Sequence, residues 1–275
     1  MKTCFDAIEK LTVCEMPCTS LPSGMKSLDS LTSAHPAPSL LLLGAPTSSG
    51  STSLAIQIAT RTSIARDHSV LYITSQHSKE QLALRTLCAH ARVNLHDLAG
   101  ARVTARDWAA LARSAGLLWK SDFSILDQPV ILGKDIERVV RDPRFSCRRA
   151  RRELGLIILD SFTDLQAPSA EHGLDLYRAA RSLGCSILVV CQVEHRQRTE
   201  TYRRGRCTDM PAFLGMDRFA DLVLTMECLE RNDYCDIEVV QIDLARSRIG
   251  PTGTARVHFH RGAGYFEDPI RQSSQ

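Results

Sequence analysis

Six short apolar runs spread over residues 40–227 constrain this chain more than any other feature. They are LLLLG (40–44), SVLYITS (69–75), DFSILD (122–127), LGLIILD (154–160), CSILVVCQ (185–192) and ADLVLTME (220–227), and longer helix-like stretches separate most of them. Continuous apolar strands alternating with helices are what a mostly parallel sheet covered on both faces requires. Two later segments, CDIEVVQIDLARS (235–247) and TARVHFHRG (254–262), alternate with the period of a strand and are joined by RIGPTG. They predict an antiparallel hairpin closing the sheet. Before the first run, FDAIEKLTV predicts a short helix, and the proline-containing CEMPCTSLPSG a linker. The expected organisation is α/β, with a helix and linker over 1–20, one domain over 21–268 and a frayed tail over 269–275.

Composition narrows the class. The chain has 275 residues, 44% hydrophobic and 24% charged, which is ordinary for a globular protein with a sizeable core. Ten cysteines, some inside apolar runs, read as reduced thiols in a cytoplasmic protein rather than a disulfide framework. Cys14 and Cys18 have no second Cys/His pair nearby at zinc spacing, so no structural zinc is expected. The acids in MKTCFDAIEKL argue against a signal peptide, and no apolar run approaches the roughly 20 residues of a membrane span, so no membrane partner is expected. The net charge of +3 decides nothing, but arginines cluster in RRARRE (148–153) and RQRTETYRRGR (196–206).

The loop after the first run, GAPTSSGSTS (44–53), carries the chemistry. A strand that delivers a glycine-containing turn to a helix start presents backbone N–H groups and the helix dipole to an anion. Against the pattern GxxxxGK[ST], the chain reads Ala45, Pro-Thr-Ser48-Ser49, Gly50, Ser51, Thr52. The geometry is kept, but Ser51 stands where the pattern has lysine. A plain small-residue turn before a helix is the alternative. Asp160 closes an apolar strand where a phosphate-loop protein places its magnesium-orienting carboxylate, and Gln192 ends another strand where an amide can sense the γ-phosphate. Each has a structural alternative, a turn or cap for Asp160 and a strand end for Gln192; the three in this order are more specific than any one.

With these residues in hand, the chain resembles the RecA-like motor domain of DnaB-type replicative DNA helicases. The resemblance runs from LPSGMKSLDSL (21–31) through the phosphate loop, VLYITSQHSKEQLALR (70–85), LGLIILDS and ILVVCQ, to ARSRIGPTGTARVHFHRGAGYFED (245–268). It implies a RecA-like P-loop NTPase fold for 21–268, with ATP and Mg2+ as cofactors. It further implies a ring with nucleotide between neighbouring subunits and single-stranded DNA through its centre, as a homo-oligomer or a hetero-assembly with a replicative helicase. By the same resemblance, Gly50 and Thr52 match the phosphate loop, Asp160 the magnesium aspartate and Gln192 the glutamine sensor. Arg248 falls on the arginine finger and Arg246 on its companion lysine, both acting on a neighbour's nucleotide. Gln76 stands where the family has the glutamate that activates water, and the family's helical N-terminal domain has no expected counterpart. The segment holding Arg196, Arg198, Arg203, Arg204 and Arg206 follows the sensor strand, where such rings carry DNA-facing loops; a solvated loop is its alternative.

The departures carry weight. A lysine–phosphate bond contributes about 1.5–3 kcal/mol, so its loss weakens nucleotide binding roughly ten- to a hundredfold. An amide at 76 cannot take a proton from water, and general-base catalysis supplies about 10²–10⁴ in rate. His77 and Glu80 lie nearby as candidate substitute bases; a plain surface residue is the alternative for His77. Three functions remain open: a degenerate motor domain that serves a neighbour through Arg248, an active ATP-dependent helicase, and a non-enzymatic regulator or loader of a helicase ring.

Overall fold

The computed structural model describes residues 22–32, 37–65, 68–128, 133–142, 153–162, 169–193, 213, 215–231 and 236–269. Its centre is a nine-stranded sheet in the order β3-β2-β4-β5-β1-β6-β7-β8-β9. The strands are β1 Leu40–Pro46, β2 Ser69–Thr74, β3 Phe123–Asp127, β4 Leu154–Asp160, β5 Ser186–Val193, β6 Leu222–Glu230, β7 Ile237–Ser247, β8 Gly253–His260 and β9 Tyr265–Glu267. Pairing is parallel from β3 to β6 and antiparallel from β6 to β9. Every run expected to be a strand is one.

The apolar runs are continuous because each strand feeds two cores. Leu41 and Leu43 lie in one, Leu40 and Leu42 in the other, and all four are fully buried. The same division holds for Val70 and Tyr72 against Leu71 and Ile73, and for Leu156 and Ile158 against Ile157 and Leu159. Successive strand residues point to opposite faces, so a sheet covered on both sides leaves no position for a polar alternate.

Helices α1 Lys26–Thr32, α2 Ser51–Ala65, α3 Lys79–Ala91, α4 Leu95–Ala99, α5 Ala105–Lys120, α6 Gly133–Arg141 and α7 Ala170–Leu183 cover the sheet. Leu54, Ile56 and Ile58 of α2 and Leu82 of α3 enter the first core; Ile136 of α6 and Leu176 and Ala179 of α7 enter the second. The start of α3 is fixed by a capping box. The Ser78 hydroxyl accepts from the Gln81 N–H at 3.2 Å, and the Gln81 side chain accepts from the Ser78 N–H at 3.2 Å.

The YFE segment is itself strand β9, and the turn before it spans residues 261–264. Phe266 pairs with Phe259 across the ladder and their rings stack at 4.4 Å, which holds so short an edge strand in register. The expected helix FDAIEKLTV, the pair Cys14 and Cys18, and the arginines of 148–152 lie outside the described residues. Cys88 and Cys191 are buried free thiols, and burial pushes Cys191 up to about 12. Among the described residues no helix is long and apolar enough to cross a membrane.

Candidate active site

β1 ends at Pro46 and α2 begins at Ser51, leaving a four-residue loop. Ser48 and Gly50 both take left-handed backbone, with φ of 65° and 92°. The Ser49 N–H donates to the Pro46 carbonyl at 3.2 Å, and the Leu54 N–H to the Gly50 carbonyl at 2.9 Å, so Gly50 opens the helix. A Cβ at Gly50 would come within 3.0 Å of both Phe259 and Phe266, so the loop rests directly on the stacked rings. Ser51 and Thr52 are the first two residues of α2 and are half-buried; Ala45 pairs with Gln192 in the sheet. The Ser49 hydroxyl is buried with no hydrogen-bond partner among the described residues, an expensive condition for a polar group unless something else meets it.

One arginine braces this loop. Arg261 Nη2 donates to the Ser48 carbonyl at 3.0 Å, while Arg261 Nε and Nη2 donate to Glu238 at 2.8 and 2.7 Å. Glu238 also accepts from Arg231 Nε at 3.0 Å. Burial opposes ionisation of Glu238, but the Arg261 and Arg231 guanidinium groups outweigh it and hold the carboxyl below its ordinary value.

Asp160, Gln192 and Gln76 meet at the carboxyl ends of three adjacent strands. Asp160 sits opposite Thr74 and Val190 in the ladders, and Gln192 lies opposite Ala45. Two strand spacings, about 10 Å, therefore separate β1 from β4 at the same end of the sheet, room for a phosphate and its cation. Tyr72, on the same face as Asp160, donates its hydroxyl to the carboxylate at 2.6 Å. Burial and that neighbouring carboxylate push the Tyr72 hydroxyl well above its ordinary value, so it stays a donor. Gln192 Nε2 donates to Gln76 Oε1 at 2.8 Å, and Gln76 Nε2 donates to the Ser161 hydroxyl at 3.3 Å. Neither amide accepts a proton at neutral pH.

The substitute bases are differently placed. His77 is half-buried, and its Nε2 accepts from Arg85 at 3.0 Å. Burial first and Arg85 second hold His77 below its ordinary value, with Asp160 opposing. Glu80 is exposed on α3 and pairs with Lys79 at 3.9 Å.

Arg246 and Arg248 stand at the other end of the sheet. Arg246 is opposite Val223, whereas Ser247 faces Leu222, which in turn pairs with Leu41 near the start of β1. From Leu41 to Pro46 is about 17 Å of strand. Arg246 Nη1 donates to the Asp217 carbonyl at 2.6 Å. Arg248 lies 3.4 Å from Asp221 Oδ1, donates to the Phe219 carbonyl at 3.2 Å and covers the Tyr177 ring at 5.2 Å. Arg196, Arg198, Arg203, Arg204 and Arg206 lie outside the described residues.

Sequence reasoning missed Tyr72, Arg85, Ser161 and Arg261. Arg85 had a readable signal: Gln81, Leu84, Arg85 and Cys88 recur at helical spacing, and all four line a cleft of about 520 Å³ with Ser48, Gly50, Ser53 and Arg261. Arg261 had none, since its partners are a loop carbonyl 213 residues away and a carboxylate 23 residues away.

A mostly parallel sheet, a left-handed loop and helix start after its inner strand β1, and a carboxylate and an amide at neighbouring strand ends define a RecA-like ATPase fold. Solved structures agree. One solved ATPase domain matches with a TM-score of 0.81 at 20% identity over 98% of both chains. A DnaB-like replicative helicase, described with its interactions with primase, matches with a TM-score of 0.79 at 21% identity, over 98% of this chain and 66% of that one. The DnaB-like helicase C terminal domain model matches residues 20–268, and the chain belongs to that family. It is similar to the replicative DNA helicase DnaC of Bacillus subtilis, 29% identical over 272 residues, and to DnaB of Geobacillus stearothermophilus, 28% identical over 272. Each alignment covers 93% of this chain but only 58% of the relative, so the chain spans a little over half the length of the curated proteins it matches.

Proposed function

We propose that this chain is a DnaB-type motor domain whose own ATP site binds weakly and turns over poorly, and which completes a neighbouring subunit's site through Arg248, with Arg246 beside it. The observation that carries the reading is the Gln192–Gln76–Ser161 chain of hydrogen bonds, which ties up an amide at the position where the family resemblance implies a base. The residues fit the cofactors the family implies. The loop offers backbone N–H groups at a helix start, and the unpartnered Ser49 hydroxyl is consistent with a missing ligand. Among the described residues no group of three or more His, Cys, Asp or Glu can hold a metal. A divalent cation here would rest on the Thr52 hydroxyl, Asp160 and phosphate oxygens, which is how Mg2+ is usually held. It would supply charge neutralisation on the phosphates. Asp160 would orient it, with Tyr72 fixing the carboxylate.

Arg248 lies too far along the sheet to reach this chain's own loop, which supports action on a neighbour's nucleotide, where such a finger contributes about 10³–10⁵ in turnover. That favours the degenerate motor or a regulator of a helicase ring over a self-sufficient helicase. Single-stranded DNA is the proposed nucleic-acid partner on the arginine content of 196–206, with salt-dependent binding expected. The test is phosphate release with and without single-stranded DNA, for the natural chain and for Ser51→Lys with Gln76→Glu. The natural chain is expected to be nearly inactive and the double variant active. A natural chain turning over at ordinary helicase rates, or a folded double variant that neither binds nor hydrolyses ATP, would overturn the reading.

A further inference from the structure

The loss of lysine at position 51 leaves a phosphate loop without its charge, and the cleft beside that loop holds a cation nothing has assigned. Arg85 lines the cleft together with Ser48, Gly50 and Ser53. It is half-buried on α3, whose register the Ser78–Gln81 capping box fixes. Among the described residues its guanidinium forms no ion pair, and the hydrogen bond it makes is to the neutral acceptor His77 Nε2 at 3.0 Å. The contrast with Arg261 is direct. That arginine lines the same cleft but is ion-paired with Glu238, a carboxylate it shares with Arg231, and its Nη2 also donates to the Ser48 carbonyl. Arg85's charge also acts on the Tyr72 hydroxyl, which donates to Asp160.

We infer that Arg85 is the phosphate-binding cation of this chain, taking the polyphosphate of a nucleoside triphosphate in place of the absent lysine. The inference rests on the proposed nucleotide site. A half-buried guanidinium without a carboxylate partner retains its full charge for an anion, and its planar fork donates two parallel hydrogen bonds to phosphate oxygens. His77 holds the side chain in the cleft through an acceptor that does not cancel that charge. Ser49 adds a second group waiting for a partner, a buried hydroxyl in the same loop.

The experiment is a two-by-two cycle of equilibrium binding to a fluorescent ATP analogue with Mg2+, using the full chain. The four proteins are the natural chain, Arg85→Ala, Ser51→Lys, and both together, each checked for an unchanged urea midpoint. Arg85→Ala is expected to weaken binding about ten- to a hundredfold in the natural background, the span of one charge-assisted phosphate bond. In the Ser51→Lys background the same change should cost less than about threefold, because the lysine has taken over the role. Equal losses in both backgrounds, or no loss in the natural one, overturn the assignment while leaving the nucleotide site standing. No binding by either the natural chain or Ser51→Lys removes both. If Arg85→Ala does not fold, Arg85→Gln, which keeps a donor for His77 but no charge, runs the same cycle with the same expected outcomes.

Discussion

Gln192 donates its amide to Gln76 across the carboxyl end of β4, 2.8 Å from nitrogen to oxygen. Oε1 of Gln76 is thus already an acceptor, and a glutamate there would accept the same bond. The Ser161 hydroxyl can turn from acceptor to donor. Gln76 is also exposed, so Gln76→Glu should change stability by no more than about 0.5 kcal/mol. In a Ser51→Lys background the same substitution should raise phosphate release by about 10²–10⁴, the usual contribution of a positioned base. Steady-state phosphate release beside urea unfolding checks both halves. A stable variant with no gain in rate would mean that proton abstraction is not what this position lacks.

His77 gives the chain an acid sensitivity whose sign follows from its environment. Burial, then Arg85, holds its folded-state value below the ordinary one, against the opposing pull of Asp160, and burial with Arg61 does the same to His90. Above about pH 6.5 both rings are neutral folded or unfolded, and that stability is fully present. As pH falls below 6.5 the unfolded chain takes up protons first, so stability declines toward the lower folded-state values. Urea midpoints should therefore fall between pH 7.5 and 5.5. His77→Gln, which keeps an acceptor for Arg85, should flatten the decline, and adding His90→Gln should flatten it further. An unchanged profile in the double variant would place the acid sensitivity elsewhere.

Gly50 is held by two independent constraints. Its φ of 92° is one that L-residues rarely adopt, and an added Cβ would meet two phenyl rings at 3.0 Å. Those rings stack on each other, so neither can simply turn aside. Gly50→Ala should cost about 1–3 kcal/mol by urea unfolding, the range for a side chain forced into a sparsely populated backbone region. Pairing it with Phe259→Leu should not restore stability, because the smaller side chain leaves the backbone strain in place and loses the ring stack. Full recovery in the double variant would show that contact alone, and not backbone geometry, selects glycine here.

The fold was legible because one physical rule governs most of it. Runs such as LLLL and LGLIIL are apolar at every position since the sheet has a core on each face, and that pattern is local in sequence. The polar ends of those runs were legible for the same reason, so Asp160 and Gln192 lie at the strand ends where counting put them. What could not be read was set by tertiary neighbours. Nothing local joins Tyr72 to Asp160, or Arg261 to Ser48. The strand character of YFE also depends on the stacking partner seven residues before it. Arg85 falls between these cases: its helical face was visible, but its lack of an ion-pair partner among the described residues is a property of the folded cleft.

Arg248 makes the two ends of the sheet separable by experiment. Its guanidinium is half-exposed, held by the buried Asp221 carboxylate at 3.4 Å and laid over Tyr177, which Arg181 also covers at 5.2 Å. Such a partly exposed ion pair contributes about 0–1 kcal/mol, and a cation–π contact about 0.5–1 kcal/mol. On the proposed reading, a triphosphate bound by a neighbouring subunit, with its several negative charges, would offer more than Asp221 and Tyr177 together, so recruiting the arginine away from them would cost little. Arg248→Ala should therefore leave this chain's own affinity for a fluorescent ATP analogue unchanged. It should also remove any stimulation the chain gives to phosphate release by an active DnaB-type helicase mixed with it. Tyr177→Ala should do the reverse, loosening the parked arginine and strengthening that stimulation. If Arg248→Ala instead weakens the chain's own nucleotide binding, the arginine serves the cis site after all, and the roughly 17 Å of strand between them must close in some other arrangement.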